Sequence, residues 1–226
     1  MKRQLAALAT ATVAAGTLFW VVPSADAATR APIRSYTDTV SFSQTGLGVD
    51  AGWYHHYSAI ERVSMRPLAV ADRYSQAWID NHGRLRHYRG VWILAGGRTY
   101  ARTDGARKWT VTKLTAADLR AEAASATSYY EMDNYLAIPG VVLVAPGHYQ
   151  VTASVKNAST FLADSYGLPG KYLTEAGISK VTVDLFTDQS GRPVKIIVSG
   201  LGARERLAIT ETFTSYNQLV SIKAPK

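Results

Sequence analysis

The stretch Val181-Thr-Val-Asp-Leu-Phe-Thr-Asp-Gln-Ser-Gly-Arg-Pro-Val-Lys-Ile-Ile-Val198 decides the fold class of this chain. Apolar side chains occupy every second position on both sides of the polar, Gly- and Pro-containing turn at residues 188–193. A period of two predicts a strand with one buried and one solvent-exposed face, and the turn connects two such strands in antiparallel orientation. The stretch therefore predicts a β-hairpin.

Short strand-like runs separated by turn signals extend from this hairpin towards both ends of the chain. The predicted strands cover residues 36–44, 53–63, 68–79, 85–89, 91–94, 98–102, 108–113, 141–144, 149–155, 178–187, 194–198, 207–209 and 219–224. Turns such as Gly96-Gly97 and Asp104-Gly105 indicate an antiparallel meander with short hairpins.

Two helices are predicted between the strands. Thr115-Ala-Ala-Asp118 resembles a capping box with Asp in place of Glu, and an Ala-rich run follows it. A second short helix is predicted from Asn157, as N-cap, to a stop at Gly167. Long strands with two helical pieces inserted mid-chain predict an α+β domain with a strongly curved antiparallel sheet.

The first residues indicate export. Two basic residues precede the weakly hydrophobic stretch 5–22, which is followed by Pro23 and the small-x-small site Ala25-Asp26-Ala27. This pattern predicts a signal peptide over residues 1–27 and a single mature domain over 28–226. The alternative, a membrane anchor, is disfavoured because the stretch is rich in Ala and Thr.

Composition narrows the class of protein. The chain has no cysteine, which excludes disulfides, thiolate metal sites, a cysteine nucleophile and lipid attachment at a cysteine. The net charge of +8 favours an anionic cell-envelope surface as a partner, or it merely keeps the protein soluble. Nucleic acid is not expected, because the Lys and Arg residues are scattered. No transmembrane segment is predicted after signal cleavage.

Enzyme signals are mostly absent. The sequence has no G-x-S-x-G, S-x-x-K or H-E-x-x-H motif and no Gly-rich phosphate loop. His55 and His56 are neighbours on a predicted strand, so they point to opposite faces and do not share a metal ion. We expect no enzyme activity, no metal and no cofactor.

Aromatic residues are more informative. Beyond the predicted signal peptide the chain holds Trp53, Trp78, Trp92 and Trp109 and thirteen tyrosines. These rings either line a carbohydrate or lipid cleft or fill the core of a curved sheet, and composition favours the core.

Four segments together resemble actinobacterial LolA-like proteins, the group that includes the mycobacterial LppX/LprAFG lipoproteins. Residues 181–196 resemble the late hairpin of that family, and residues 91–100 followed by Lys108-Trp109 resemble its middle hairpin. Residues 148–155 resemble the strand before its second helix, and residues 209–225 resemble its closing strands. The order of these segments matches along most of the mature chain.

The resemblance implies a half-barrel, in which helices lie across the concave face of a curved sheet and acyl chains are held between them. This chain has no cysteine to acylate, so it is expected to be a secreted, non-lipidated member. The inward-facing apolar residues of the strands are the candidate lining of the cavity. They are Val181, Val183, Leu185, Val194, Ile196, Val198, Leu207, Ile209, Trp92 and Leu94.

The sequence thus predicts a secreted carrier or sensor that binds a lipid, glycolipid or other amphiphile. The alternative is a module with a collapsed cavity that binds a cell-envelope protein or the cell wall. A secreted hydrolase that uses His55 or His56 with distant carboxylates is the least favoured alternative.

Overall fold

A computed structural model describes residues 32–80 and 82–225. The predicted signal peptide lies outside these residues. In the part of the chain that is described, no helix combines the length and hydropathy needed to span a membrane.

The described chain folds into one antiparallel sheet of eleven strands. In chain order the strands are β1 Ser35–Gly46, β2 Tyr54–Met65, β3 Leu68–Ile79, β4 Leu85–Ala95, β5 Arg98–Thr103, β6 Thr110–Lys113, β7 Val142–Ala145, β8 His148–Ser154, β9 Lys180–Thr187, β10 Pro193–Leu201 and β11 Glu205–Thr214. Their spatial order is β6-β5-β4-β3-β2-β1-β11-β10-β9-β8-β7, so the first and last strands pair at the centre. This large antiparallel sheet with few helices confirms the prediction of an antiparallel sheet as the main part of the fold.

Four helices lie between the strands: α1 Ala116–Ser125, α2 Ser128–Leu136, α3 Ser159–Tyr166 and α4 Gly170–Glu175. The predicted capping box is confirmed, since Thr115 and Asp118 exchange side-chain to backbone hydrogen bonds at the start of α1. Gly167 ends α3 in the left-handed conformation with a φ of 63°. Helix α3 starts one residue later than predicted, with Ala158 rather than Asn157 as its N-cap.

One face of the sheet, here called the inner face, carries the core. A row of paired residues crosses it from strand β9 to β4, which fixes the register of seven strands. The row is Val183, Val198, Ile209, Phe42, Tyr57, Gln76 and Tyr88. The first five of these side chains are buried, whereas Tyr88 is exposed. The opposite face is called the outer face.

The helices and the inner face of the sheet share one hydrophobic core. Tyr135 of α2 is fully buried, and its hydroxyl donates to the carbonyl of Val183 on β9 at 3.3 Å. The hydroxyl of Tyr36 on β1 donates to the carbonyl of Ala126, between α1 and α2. Phe161 and Leu162 of α3 complete the same core.

Two predicted strands differ from the structure. Residues 85–94 form one continuous strand across Gly90 instead of two. The predicted closing strand at 219–224 is wrong, because these residues pair with no strand and Leu219 is fully exposed. Strand β11 already has neighbours on both sides, so it offers the terminal segment no free edge.

Candidate functional site

A cavity of about 250 Å³ lies between strands β1 and β2 and the connection from α3 to α4. Its walls are mainly apolar and aromatic, with a few polar side chains at one end. The lining residues are Val40, Phe42, Gln44, His55, Tyr57, Tyr166, Gly167, Leu168, Pro169 and Tyr172. Cavities with this balance are typical of sites for small, mostly apolar ligands.

Alternation along the two strands and a tight helix end create the cavity. Phe42 and Tyr57 are paired on the inner face, which directs both rings to the same side. Gly167 turns the chain at the end of α3, and the amide of Leu168 then donates to the carbonyl of Leu162 at 3.0 Å. The turn therefore places Leu168 and Pro169 opposite the strands.

Gln44 forms the polar end of the cavity. Its side chain is fully buried, and its Nε2 donates to Oε2 of Glu205. No described residue donates a hydrogen bond to its Oε1. Burial, which outweighs the hydrogen bond from Gln44, raises the pKa of the Glu205 carboxyl. A buried acceptor without a donor costs about 1–3 kcal/mol, so this end of the cavity favours a ligand that donates.

His55 forms part of the cavity wall beside Gln44. Its ring lies edge-on to Phe42 at 5.2 Å between centroids, and its Nε2 is 2.7 Å from Nε2 of Gln76. Burial, with a smaller contribution from His56, lowers the pKa of His55. Since the Gln76 amide nitrogen can only donate, the Nε2 of His55 accepts, and the ring is neutral.

A ladder of tyrosines continues the cavity wall along the inner face. Tyr57 lines the cavity, its ring stacks on Tyr74 at 6.4 Å between centroids, and Tyr74 lies 5.9 Å from Tyr88. Burial and a hydrogen bond with Tyr88 raise the pKa of Tyr74. The ladder leads from the cavity to Tyr88, which is 40% exposed.

The ten residues predicted from sequence as cavity lining do not line this cavity. Nine of them are buried in the core shared by sheet and helices. Val194 is half-buried beside the register irregularity between Pro193 and Lys195. The nine buried residues point inward along the alternation, but they pack into the shared core, and the cavity lies over β1 and β2 instead.

The two neighbouring histidines of β2 lie on opposite faces of the sheet. His55 lies on the inner face opposite Gln44, and His56 lies on the outer face, where its ring stacks on Tyr54 at 6.2 Å. Among the described residues, no group of three or more metal-ligating side chains comes together. A histidine–carboxylate pair occurs elsewhere: Nε2 of His148 is 2.8 Å from Oδ1 of Asp184, on the outer face.

No protein-family model matches the chain, and no curated protein matches it. Among solved structures it is similar to the crystal structure of a beta-barrel-like protein of domain of unknown function DUF1849 from Brucella abortus. The two share 10% sequence identity and a TM-score of 0.18, over 82% of this chain and 99% of that one.

Sequence reasoning missed the residues that close the cavity. The alternation at 36–44 includes Val40 and Phe42, and their period of two was a usable signal. Gly167 and Pro169 indicated only the end of a helix. Their position opposite β1 depends on long-range packing, which local patterns do not encode.

Proposed function

We propose that this protein is a secreted binding protein that holds the apolar chain of an amphiphile between β1, β2 and the α3–α4 connection. The observation that carries the proposal is an apolar cavity with one buried acceptor, Oε1 of Gln44, at its end. Each methylene moved from water into such a cavity contributes about 0.8 kcal/mol, so a chain of several methylenes is bound without charge contacts. The proposed role is non-catalytic.

The polar end suggests the class of headgroup. A hydroxyl or amide N–H on the ligand would satisfy Oε1 of Gln44. The adjacent Glu205 carboxyl disfavours an anionic headgroup, because like charges repel strongly where water is scarce. The proposed ligand is therefore an amphiphile with one apolar chain and an uncharged, donating head.

We also propose that the fold is a LolA-like half-barrel. In such a fold the helices lie across the concave face of the sheet, and the ligand lies between them. The hydrogen bonds from Tyr135 and Tyr36 that join the helical region to the inner face support this arrangement. Secretion rests on the sequence pattern of residues 1–27.

Native mass spectrometry tests whether a ligand is carried. The protein is recovered, without detergent, from the medium of an expressing bacterium. We expect an adduct of lipid mass that organic solvent removes. An adduct-free mass after incubation with total cell lipid, with the fold intact by circular dichroism, would contradict the proposal.

A dye-displacement assay tests the location of the site. Fluorescence of the neutral dye phenylnaphthylamine reports occupancy of the apolar space. Leu168→Trp fills the cavity and should abolish dye binding, whereas Leu143→Trp, at an exposed position of β7, should not. If both variants bind the dye equally well, the ligand does not occupy this cavity.

A pair of competitors tests the headgroup. Dodecanol donates a hydrogen bond and dodecyl methyl ether does not, so dodecanol should displace the dye about tenfold better, as one buried hydrogen bond predicts. Gln44→Met removes the acceptor and should abolish this preference while keeping affinity for the ether. A preference that survives Gln44→Met would exclude Gln44 as the headgroup contact.

A further inference from the structure

The outer face of the sheet carries one arginine on each of four neighbouring strands. Arg62, Arg73, Arg89 and Arg102 lie on β2, β3, β4 and β5, and all four side chains are exposed. We call these four residues the arginine row. The register places them on the outer face, since their chain neighbours, such as Val63, point into the core.

The pairing register makes the row continuous. Arg62 on β2 pairs with Ala71 on β3, two residues before Arg73. Arg73 pairs with Val91 on β4, two residues after Arg89, and Val91 also pairs with Arg102 on β5. Each arginine is thus diagonal to the next, about 7–8 Å away. Three strand spacings give the row a width of about 14 Å.

Acidic side chains are scarce beside the row. Strands β1 to β6 carry no Asp or Glu at outward positions, since Asp38, Glu61 and Asp72 lie on the inner face. Asp104, directly after β5, is exposed at the end of the row, and its amide donates to the carbonyl of Arg89 at 2.9 Å. None of the ion pairs among the described residues involves an arginine of the row. Beside the row, Arg98 lies directly opposite Lys113, which adds two cations to the same face.

Apolar and aromatic side chains are interspersed with these cations. Ile60 pairs directly with Arg73 and is 51% exposed, and Val111 on β6 is 49% exposed. The guanidinium of Arg102 lies over the ring of Trp109 at 4.5 Å. Tryptophan, arginine and exposed aliphatic residues together are typical of surfaces that meet lipid headgroups.

We propose that the arginine row docks this protein on the surface of a bilayer that contains anionic phospholipids. The guanidinium group binds phosphate through two parallel hydrogen bonds, and four of them spread over a sheet face match an array of separate phosphates. A linear polyanion would use the cations but not the exposed Ile60 and Val111. The inference does not depend on the proposed ligand, because the cavity lies on the inner face.

Vesicle sedimentation tests the proposal. The protein recovered from the culture medium is mixed with vesicles of phosphatidylglycerol and phosphatidylcholine, or of phosphatidylcholine alone. We expect sedimentation only with the anionic vesicles, and its loss at high salt, since salt screens surface charges. Arg73→Gln with Arg89→Gln should weaken binding about 25-fold, at about fivefold for each arginine.

A matched control separates the row from net charge. Lys156→Gln with Lys171→Gln removes the same charge from exposed positions next to α3 and in α4, and binding should not change. Equal weakening by both double variants, or no binding by the unaltered protein, would overturn the proposal. Tighter binding to soluble polyphosphate than to the vesicles would overturn it in favour of a linear polyanion. The four replaced side chains make little contact with the core, and circular dichroism checks that every variant is folded.

Discussion

The phenolic hydroxyl of Tyr166 donates a hydrogen bond to Oε2 of Glu211 at a distance of 2.8 Å. This bond joins the last residue of α3 to strand β11, and Glu211 is fully buried. Since the ring of Tyr166 also lines the cavity, the bond holds one wall of the proposed ligand site in place.

Tyr166→Phe should therefore lower both stability and ligand affinity. Removal of the donor leaves a buried carboxyl oxygen with one hydrogen bond fewer, which costs about 2 kcal/mol in the free energy of unfolding. Urea unfolding measures this change, and dye binding should weaken in parallel. Tyr54→Phe, on the outer face, is the control and should leave both quantities unchanged. An unchanged unfolding midpoint in Tyr166→Phe would show that the bond contributes nothing.

Gly90 and Tyr74 should be energetically coupled. A Cβ at position 90 would lie 2.5 Å from Cζ of Tyr74, so Gly90→Ala must displace the ring from the tyrosine ladder. Overpacking of this kind costs about 1–3 kcal/mol. Tyr74→Leu should relieve the clash, so the double variant should be more stable than the sum of the single changes predicts. Additive free energies of unfolding in this double-mutant cycle would contradict the coupling.

His55 should make stability depend on pH below neutrality. Burial lowers its pKa below the ordinary value of 6.5, so at intermediate pH the unfolded chain binds more protons than the folded one. This contribution is fully present above pH 6.5 and is lost as pH falls through the pKa of the folded state. The thermal unfolding midpoint of His55→Gln should lack this pH dependence, whereas that of His87→Gln, a change at an exposed position, should retain it. Identical profiles for both variants would contradict this assignment.

The sequence predicted the elements that depend on local patterns. The hairpin of β9 and β10 was predicted with its turn, because alternation and turn residues act within a few positions. The capping box of α1 was also predicted, since both partners lie within four residues. The sequence predicts separate strands at 85–89 and 91–94, yet Gly90 lies within one continuous strand, where its missing side chain makes room for Tyr74.

Long-range relationships account for the rest. The closing strand was wrong because pairing of β11 with β1 uses the edge that the terminal segment would need. The cavity lies over β1 and β2 rather than over β9 and β10, because Tyr135 and Phe161 fill the space over the latter strands. Neither fact can be read from residues close together in sequence.

Helix α1 should depend on its cap more than on packing. None of its residues is buried, and the side chain of Thr115 accepts a hydrogen bond from the amide of Asp118 at 3.1 Å. Loss of an N-cap costs about 1 kcal/mol, and in a helix that contributes only the partly buried Leu119 to the core this cost should appear as local opening. Thr115→Ala should therefore speed hydrogen exchange of the α1 amides several-fold while the global unfolding midpoint stays nearly constant. Thr115→Ser keeps the acceptor and is the matched control, and it should leave exchange unchanged. A fall in the global midpoint as large as the local effect would show instead that α1 unfolds together with the sheet.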